Sequence, residues 1–141
     1  VHWILATTSE NSIKSRAKGI EVPPLDSEEQ IKKGFRAFRE ICASCHTPPG
    51  DEDKPLAKGL NPKAPDLAEE AKEMSPAEIF WVVKNGIRMT GMPGWGVTHT
   101  DEQLWEIVAF VKTLPEMTIL DYLTLNSEVP IEEDDGHGHE H

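Results

Sequence analysis

The two cysteines of the chain belong to one short motif whose residue types could do chemistry. Cys42 and Cys45 stand in the run C-A-S-C-H, and His46 follows the second cysteine directly. Two thiols and an imidazole at this spacing suit three chemistries: a redox-active dithiol, a zinc site, or covalent attachment of a haem whose iron the histidine then binds. A disulfide between neighbours this close would not staple a domain, because it closes too short a loop.

The sequence around this motif favours haem attachment. A redox dithiol needs a preceding strand in a βαβ context, whereas the residues before Cys42 have helical spacing. A structural zinc site needs a second pair of Cys or His ligands, but no second C-x-x-C exists and His99 stands alone. The motif therefore predicts haem c, held by thioether bonds from Cys42 and Cys45, with His46 as an axial ligand of the iron.

A loop rich in glycine and proline holds the candidates for the second axial ligand. Met89 and Met92 lie in the run M-T-G-M-P-G-W-G, and Pro93 stiffens the chain next to Met92. Ligation by methionine and histidine raises the reduction potential of a haem, which suits electron carriage. We expect Met92 to be the sixth ligand; Met89, His99 and an open sixth position are the alternatives.

Two residues near this loop are candidates for binding the haem propionates. Trp95 can donate its ring N–H to a carboxylate, because a buried tryptophan usually needs an acceptor. Arg88 can pair with a carboxylate through its guanidinium fork. A solvated position on the surface is the alternative for Arg88.

Helices are predicted to position all of these residues. Ser27 is a candidate N-cap, and apolar residues at helical spacing extend this helix over about 27–42, so that it delivers Cys42 at its end. Gly34 inside this helix is predicted to admit the close approach of another helix, since a helical glycine otherwise costs about 1 kcal/mol. Prolines exclude a long helix from the stretch after the motif.

The remainder of the domain also has a helical pattern. A short helix is predicted near 66–74. The runs S-P-A-E and T-D-E-Q are helix starts, at Ser75 and Thr100, and Gly86 and Pro115 are the corresponding stops. No stretch alternates between apolar and polar residues, so the expected fold class is all-α, with three to four short helices over about 26–115.

Composition limits the classes of function. Among 141 residues, 25 are acidic and 14 basic, which gives a net charge of −11. Six acids and no lysine or arginine fall in 126–141, so the rest of the chain has 19 acids and 14 bases, a net charge of −5. The excess of acidic over basic residues argues against nucleic-acid binding and favours partners with basic surfaces. No apolar run reaches the roughly 18 residues that span a bilayer.

Taken in order, these segments resemble the class I c-type cytochromes, the monohaem bacterial proteins with histidine and methionine ligands. The resemblance covers about 26–115. Gly34 and Phe38 fit the family's N-terminal helix, the run G-I-R-M-T-G-M-P-G-W-G is similar to its axial-methionine loop, and L-W-E-I-V-A-F-V-K-T-L is similar to its C-terminal helix. It implies a cytochrome c fold around one covalently bound haem, with Phe110 at the aromatic contact where the two helices cross.

The resemblance also implies a function. The chain would transfer single electrons between a donor and an acceptor protein of a respiratory chain, without being an enzyme, in the periplasm or on the outer face of the cytoplasmic membrane. One alternative is a haem protein with an open or labile sixth position, used in gas sensing or in a peroxidase-like subunit. Another is a fixed electron-transfer subunit of a larger respiratory complex.

Two extensions flank the predicted domain. The stretch 1–25 is read as a segment that packs on the domain or as the membrane-proximal stub of an anchor that this chain lacks. In the stretch 116–141, the residues Asp121–Leu125 are predicted to dock on the domain, and disorder is predicted from Asn126 onward. The tail ends in three histidines at alternate positions, His137, His139 and His141. They predict either a solvated tail or weak binding of copper, nickel or zinc.

Overall fold

The structure is a computed structural model that describes residues 11–43, 46, 58, 67–87 and 92–130. Within these residues all regular structure is helical, which confirms the all-α prediction. The chain is helical over 11–17, and the later elements are α1 (Glu28–Ala37), a π-helical turn (Phe38–Cys42), α2 (Leu67–Glu73), α3 (Pro76–Asn85), α4 (Asp101–Val111), a 3₁₀ turn (Leu114–Glu116) and α5 (Ile119–Glu128).

Short polar side chains set the starts of the helices, as predicted. The Ser27 hydroxyl accepts the backbone N–H of Gln30 at 3.4 Å and begins α1. Full capping boxes begin α3 at Ser75 and α4 at Thr100, where each hydroxyl accepts a backbone N–H and the third helical residue bonds back. Each cap satisfies donors that the first helical turn leaves open, which contributes about 1 kcal/mol per helix.

The crossing of α1 and α4 forms the centre of the core. A methyl group added to Gly34 would overlap the Glu106 carbonyl oxygen and would lie 2.6 Å from the Glu106 carbonyl carbon. The predicted close approach at this glycine is therefore confirmed. Phe110 of α4 lies beside the glycine and packs against Phe35 and Phe38, with ring centroids 5.4 Å and 5.0 Å away. Phe35, Phe38 and Phe110 are almost fully buried.

The C-terminal extension is more ordered than its composition predicts. The predicted docking of Asp121–Leu125 is confirmed, because α5 covers this segment and Tyr122 packs edge-on against Phe35 at 5.4 Å. The predicted disorder from Asn126 is wrong for 126–130: α5 continues to Glu128, and the side chain of Val129 is buried. One apolar side chain, together with hydrogen bonds from Arg39 of the π-helical turn, holds a stretch whose sequence is polar and acidic.

The N-terminal helical stretch 11–17 packs on the domain. Ile13 and Ala17 are buried, and the Arg16 guanidinium lies 5.6 Å from the ring centroid of Trp81 on α3. Further along, Leu25 is half-buried against the core. Across the described parts of the chain, no helix is both long enough and apolar enough to cross a bilayer.

Candidate functional site

The C-x-x-C-H motif begins where α1 changes its hydrogen bonding. The backbone N–H of Ala43 donates to the Phe38 carbonyl at 2.9 Å, a five-residue spacing that widens the last turn of the helix. The N–H of His46 then donates to the Cys42 carbonyl at 2.9 Å. Such π-helical turns are frequent at functional sites. Here the turn carries Cys42 at its end, and the hydrogen bond to the Cys42 carbonyl links His46 to it.

His46 has an unusual environment for a polar residue. Its exposed fraction is 9%, and it is the one polar or charged residue that is buried among those the structure describes. Burying an imidazole costs free energy unless it has a hydrogen-bond partner or a metal to bind. Cys42, four residues earlier, is half-buried against the core. A half-buried thiol and a buried imidazole are therefore carried by residues that a backbone hydrogen bond joins.

The Met92 loop folds back onto the end of α3. Backbone hydrogen bonds join the two segments: the N–H of Ile87 donates to the Met92 carbonyl at 3.3 Å, and the N–H of Trp95 donates to the Val83 carbonyl at 2.9 Å. Met92 itself is half-buried and packs against the core. The loop is therefore fixed to a helix on both sides of Pro93, the residue that follows the methionine.

Two glycines make this backbone packing possible. Gly86 ends α3 with φ at +73°, and a Cβ there would lie 2.7 Å from the Met92 carbonyl oxygen. A Cβ on Gly94 would lie 2.7 Å from the carbonyl carbon of Asn85. The sequence predicted Gly86 only as a helix stop. Its second role is to let the methionine loop pack closely on the end of α3. Neighbouring residues in the sequence do not indicate this role, because it depends on contacts between two separate segments.

Trp95 and His99 lie beside each other after the methionine loop. Their rings meet edge-to-face with centroids 6.0 Å apart, and Trp95 is half-buried against the core. The Nδ1 atom of His99 is 2.8 Å from the Thr98 hydroxyl, so one ring nitrogen already has a local partner. The structure thus places Trp95 in contact with the apolar core.

Ion pairs and lysine caps hold the helices around this loop. The Lys84 ammonium lies 3.1 Å from an Asp101 carboxylate oxygen, which joins the end of α3 to the start of α4. Lys112 donates to the carbonyls of Ala71 and Met74, at 2.8 and 3.3 Å, and so caps the end of α2. Cations are favourable at the C-terminus of a helix because the carbonyls there carry partial negative charge.

At the α1–α4 crossing, one carboxyl group has an altered acidity. Burial raises the pKa of Glu106, and the nearby positive charge of Lys33 opposes this effect. Glu106 is also the residue whose backbone carbonyl contacts Gly34. Its raised pKa therefore reflects the close packing of α1 and α4 and not the haem motif.

Several predicted site residues lie outside the described residues. They are Cys45, Arg88, Met89, His137, His139 and His141. Their assigned roles stay predictions.

Three of the predicted donor residues lie among the residues that the structure describes. In residues 11–43, 46, 58, 67–87 and 92–130, no group of three or more His, Cys, Asp or Glu side chains is placed to hold a metal. The donors available are instead the thiol of Cys42, the buried imidazole of His46 and the half-buried thioether of Met92. These are three of the four groups that the sequence predicts would hold a haem and its iron.

Comparison with known proteins agrees with this chemistry. Residues 29–111 match the family model described as cytochrome c oxidase, cbb3-type, subunit III. The matched range begins in α1 and ends with α4, so it includes the crossing helices, the C-x-x-C-H motif and the methionine loop. A comparison with curated proteins gave no significant match.

Proposed function

The chain belongs to the family of subunit III of cbb3-type cytochrome c oxidase, and from this membership we propose that it passes single electrons between a donor protein and an acceptor protein of a respiratory chain. Membership makes it a c-type cytochrome with the cytochrome c fold, a covalently bound haem c and a role in haem-based electron transport. The haem supplies an iron that cycles between the ferric and ferrous states. The chain's own residues decide how that iron is held and which molecules reach it.

We assign the attachment and the ligands to four residues. Cys42 and Cys45 would hold the haem by thioether bonds, and His46 and Met92 would bind its iron. The observation that carries this assignment is the burial of His46, four residues after the π-helical turn ends, because a neutral imidazole can be buried when one of its ring nitrogens binds a metal. The fixed and half-buried position of Met92 supports the second ligand.

Rigid ligands would make electron transfer fast. The hydrogen bonds from Ile87 and Trp95 tie the methionine loop to α3, so Met92 can keep one position in both oxidation states. The apolar core beside it excludes water, which raises the potential by disfavouring the extra charge of ferric iron. Trp95 and Arg88 are proposed to bind the propionates. With both axial positions taken, no substrate needs to reach the iron, and the chain acts as a carrier and not as an enzyme.

Family membership favours a fixed subunit over a free shuttle. The matched family is a subunit of an oxidase, so we propose that the acceptor is a neighbouring protein of a respiratory complex. The site of action proposed is the periplasm or the outer face of the cytoplasmic membrane, where c-type cytochromes receive their haem. The acidic charge of the chain favours a partner with a basic contact surface.

Electron exchange with two small reagents of opposite charge tests this proposal. We expect the oxidised protein to take up one electron from hexaammineruthenium(II), at a rate that falls as salt is added, because the net charge of −11 attracts the cation, and to give it up again to ferricyanide. Exchange with ferricyanide should become faster with salt. A multi-electron or irreversible oxidation would contradict the carrier function, and rates independent of salt would contradict the proposed basic partner.

A further inference from the structure

One arginine joins the C-terminal extension to the turn that carries Cys42. Arg39 lies within the π-helical turn, and its guanidinium reaches the far end of α5. Its Nη1 atom donates to the side-chain oxygen of Asn126 at 3.1 Å and to the Val129 carbonyl at 2.9 Å, and its Nη2 atom donates to the Pro130 carbonyl at 2.9 Å.

The guanidinium of Arg39 forms a fork of hydrogen bonds that the ammonium group of a lysine could not form. The planar guanidinium presents donors in fixed directions, and here two of its nitrogens serve three acceptors. The acceptors belong to the last turn of α5 and the two residues after it, where carbonyl groups lack partners within the helix. The guanidinium carbon also lies 5.1 Å from the ring centroid of Phe35, so the charge rests on an aromatic face at the same time.

Both ends of this connection are anchored in the core. On the α5 side, Tyr122 contacts Phe35 and Val129 is buried. On the α1 side, Phe38 begins the turn, is almost fully buried, and accepts the hydrogen bond of Ala43. An arginine held between two buried anchors restrains the backbone of the turn, because the turn cannot shift without breaking hydrogen bonds to a charged group, each worth more than a neutral one.

We propose that Arg39 is a positioning residue, which uses the C-terminal extension as a fixed support to hold the π-helical turn and, through it, the haem attached at Cys42. The inference rests on the proposed function, because it takes Cys42 and His46 as the attachment and ligand residues. The extension is therefore part of the redox unit and sets how firmly the haem pocket stays closed to water and to small ligands.

The test compares Arg39→Lys with Arg16→Lys in the complete haem-loaded protein. Lysine keeps the positive charge, so a change in Arg39→Lys reports the loss of the fork and not the loss of the charge. Arg16 is a matched control: its guanidinium also lies over an aromatic ring, that of Trp81, and its Nε atom donates to the Ser12 hydroxyl at 3.3 Å. That arginine is on the N-terminal helical stretch, away from the turn in sequence.

We expect two readouts to change in Arg39→Lys. The reduction potential should fall, because a looser turn admits water that stabilises the more highly charged ferric iron. Imidazole should bind the ferric protein about tenfold faster, which corresponds to losing one hydrogen bond of a charged group from the restraint. Asn126→Ala removes one acceptor from the other side and should shift both readouts in the same direction by less. Arg16→Lys should leave both unchanged.

A purely structural role would give a different pattern. If Arg39→Lys and Asn126→Ala lower the melting temperature but leave the potential and the imidazole rate at their wild-type values, the positioning role is wrong. Equal shifts in Arg16→Lys would also overturn it, since the effect would then not be specific to the turn. A wild-type protein that carries no haem on Cys42 would instead refute the proposed function, and the inference with it.

Discussion

Replacing Met92 with alanine should abolish the low-spin spectrum of a haem with histidine and methionine ligands. The thioether is the sixth ligand in our assignment, and alanine has no donor atom to replace it. Water or an added ligand would then reach the iron, and the potential should fall, because a methionine ligand raises it. Optical spectra of the oxidised and reduced variant, and a redox titration, measure both effects.

Met89→Ala is the matched control for this variant. It removes the same side chain from the same loop, three positions earlier in the chain, and should keep the wild-type spectrum and potential. The reverse pattern, with Met89→Ala losing the spectrum and Met92→Ala keeping it, would move the sixth ligand to Met89. A low-spin spectrum kept in both variants would point to His99, and a wild-type protein without a low-spin spectrum would point to an open position.

Gly34→Ala should destabilise the protein by about 3 kcal/mol, the upper end of the range for overpacking. The added methyl would overlap the carbonyl oxygen of Glu106 and lie 2.9 Å from the Phe110 Cβ atom, so the two helices must move apart. Alanine favours a helix by about 1 kcal/mol over glycine, which offsets only part of this cost. In thermal unfolding, the melting temperature should drop by roughly 10 °C or more.

Gly19→Ala supplies the control for that substitution. A Cβ at this position meets nothing within 4 Å, so the same chemical change should leave the melting temperature near the wild-type value. A stable Gly34→Ala variant with an unchanged melting temperature would contradict the close crossing of α1 and α4. The described packing of Phe35 and Phe38 against Phe110 would then need another geometry.

Local chemistry explains what the sequence could predict of this fold. Helix starts depend on a few consecutive residues, so the caps at Ser27, Ser75 and Thr100 were readable from the sequence. Gly34 was readable as a close contact because a glycine inside a helix is costly without a packing reason. The C-x-x-C-H motif was readable as haem attachment, and membership of the family confirms haem c.

Contacts between distant parts of the chain explain what was missed. Arg39 and Pro130 are 91 positions apart, and nothing near either residue indicates that they meet. The order of 126–130 depends on that contact and on the burial of Val129, so composition alone predicted disorder there. The widened turn at Phe38–Cys42 likewise differs from a regular α-helix by its hydrogen bonds and not by its residue types.

The central claim is that this chain holds a haem c closed on both sides by His46 and Met92. Optical spectra of the oxidised and reduced protein, with and without carbon monoxide, test it most directly. We predict a weak far-red band from sulfur-to-iron charge transfer in the oxidised protein, and a reduced spectrum that carbon monoxide leaves unchanged. A missing band together with prompt binding of carbon monoxide would contradict the claim, and would assign the chain an open haem that binds ligands.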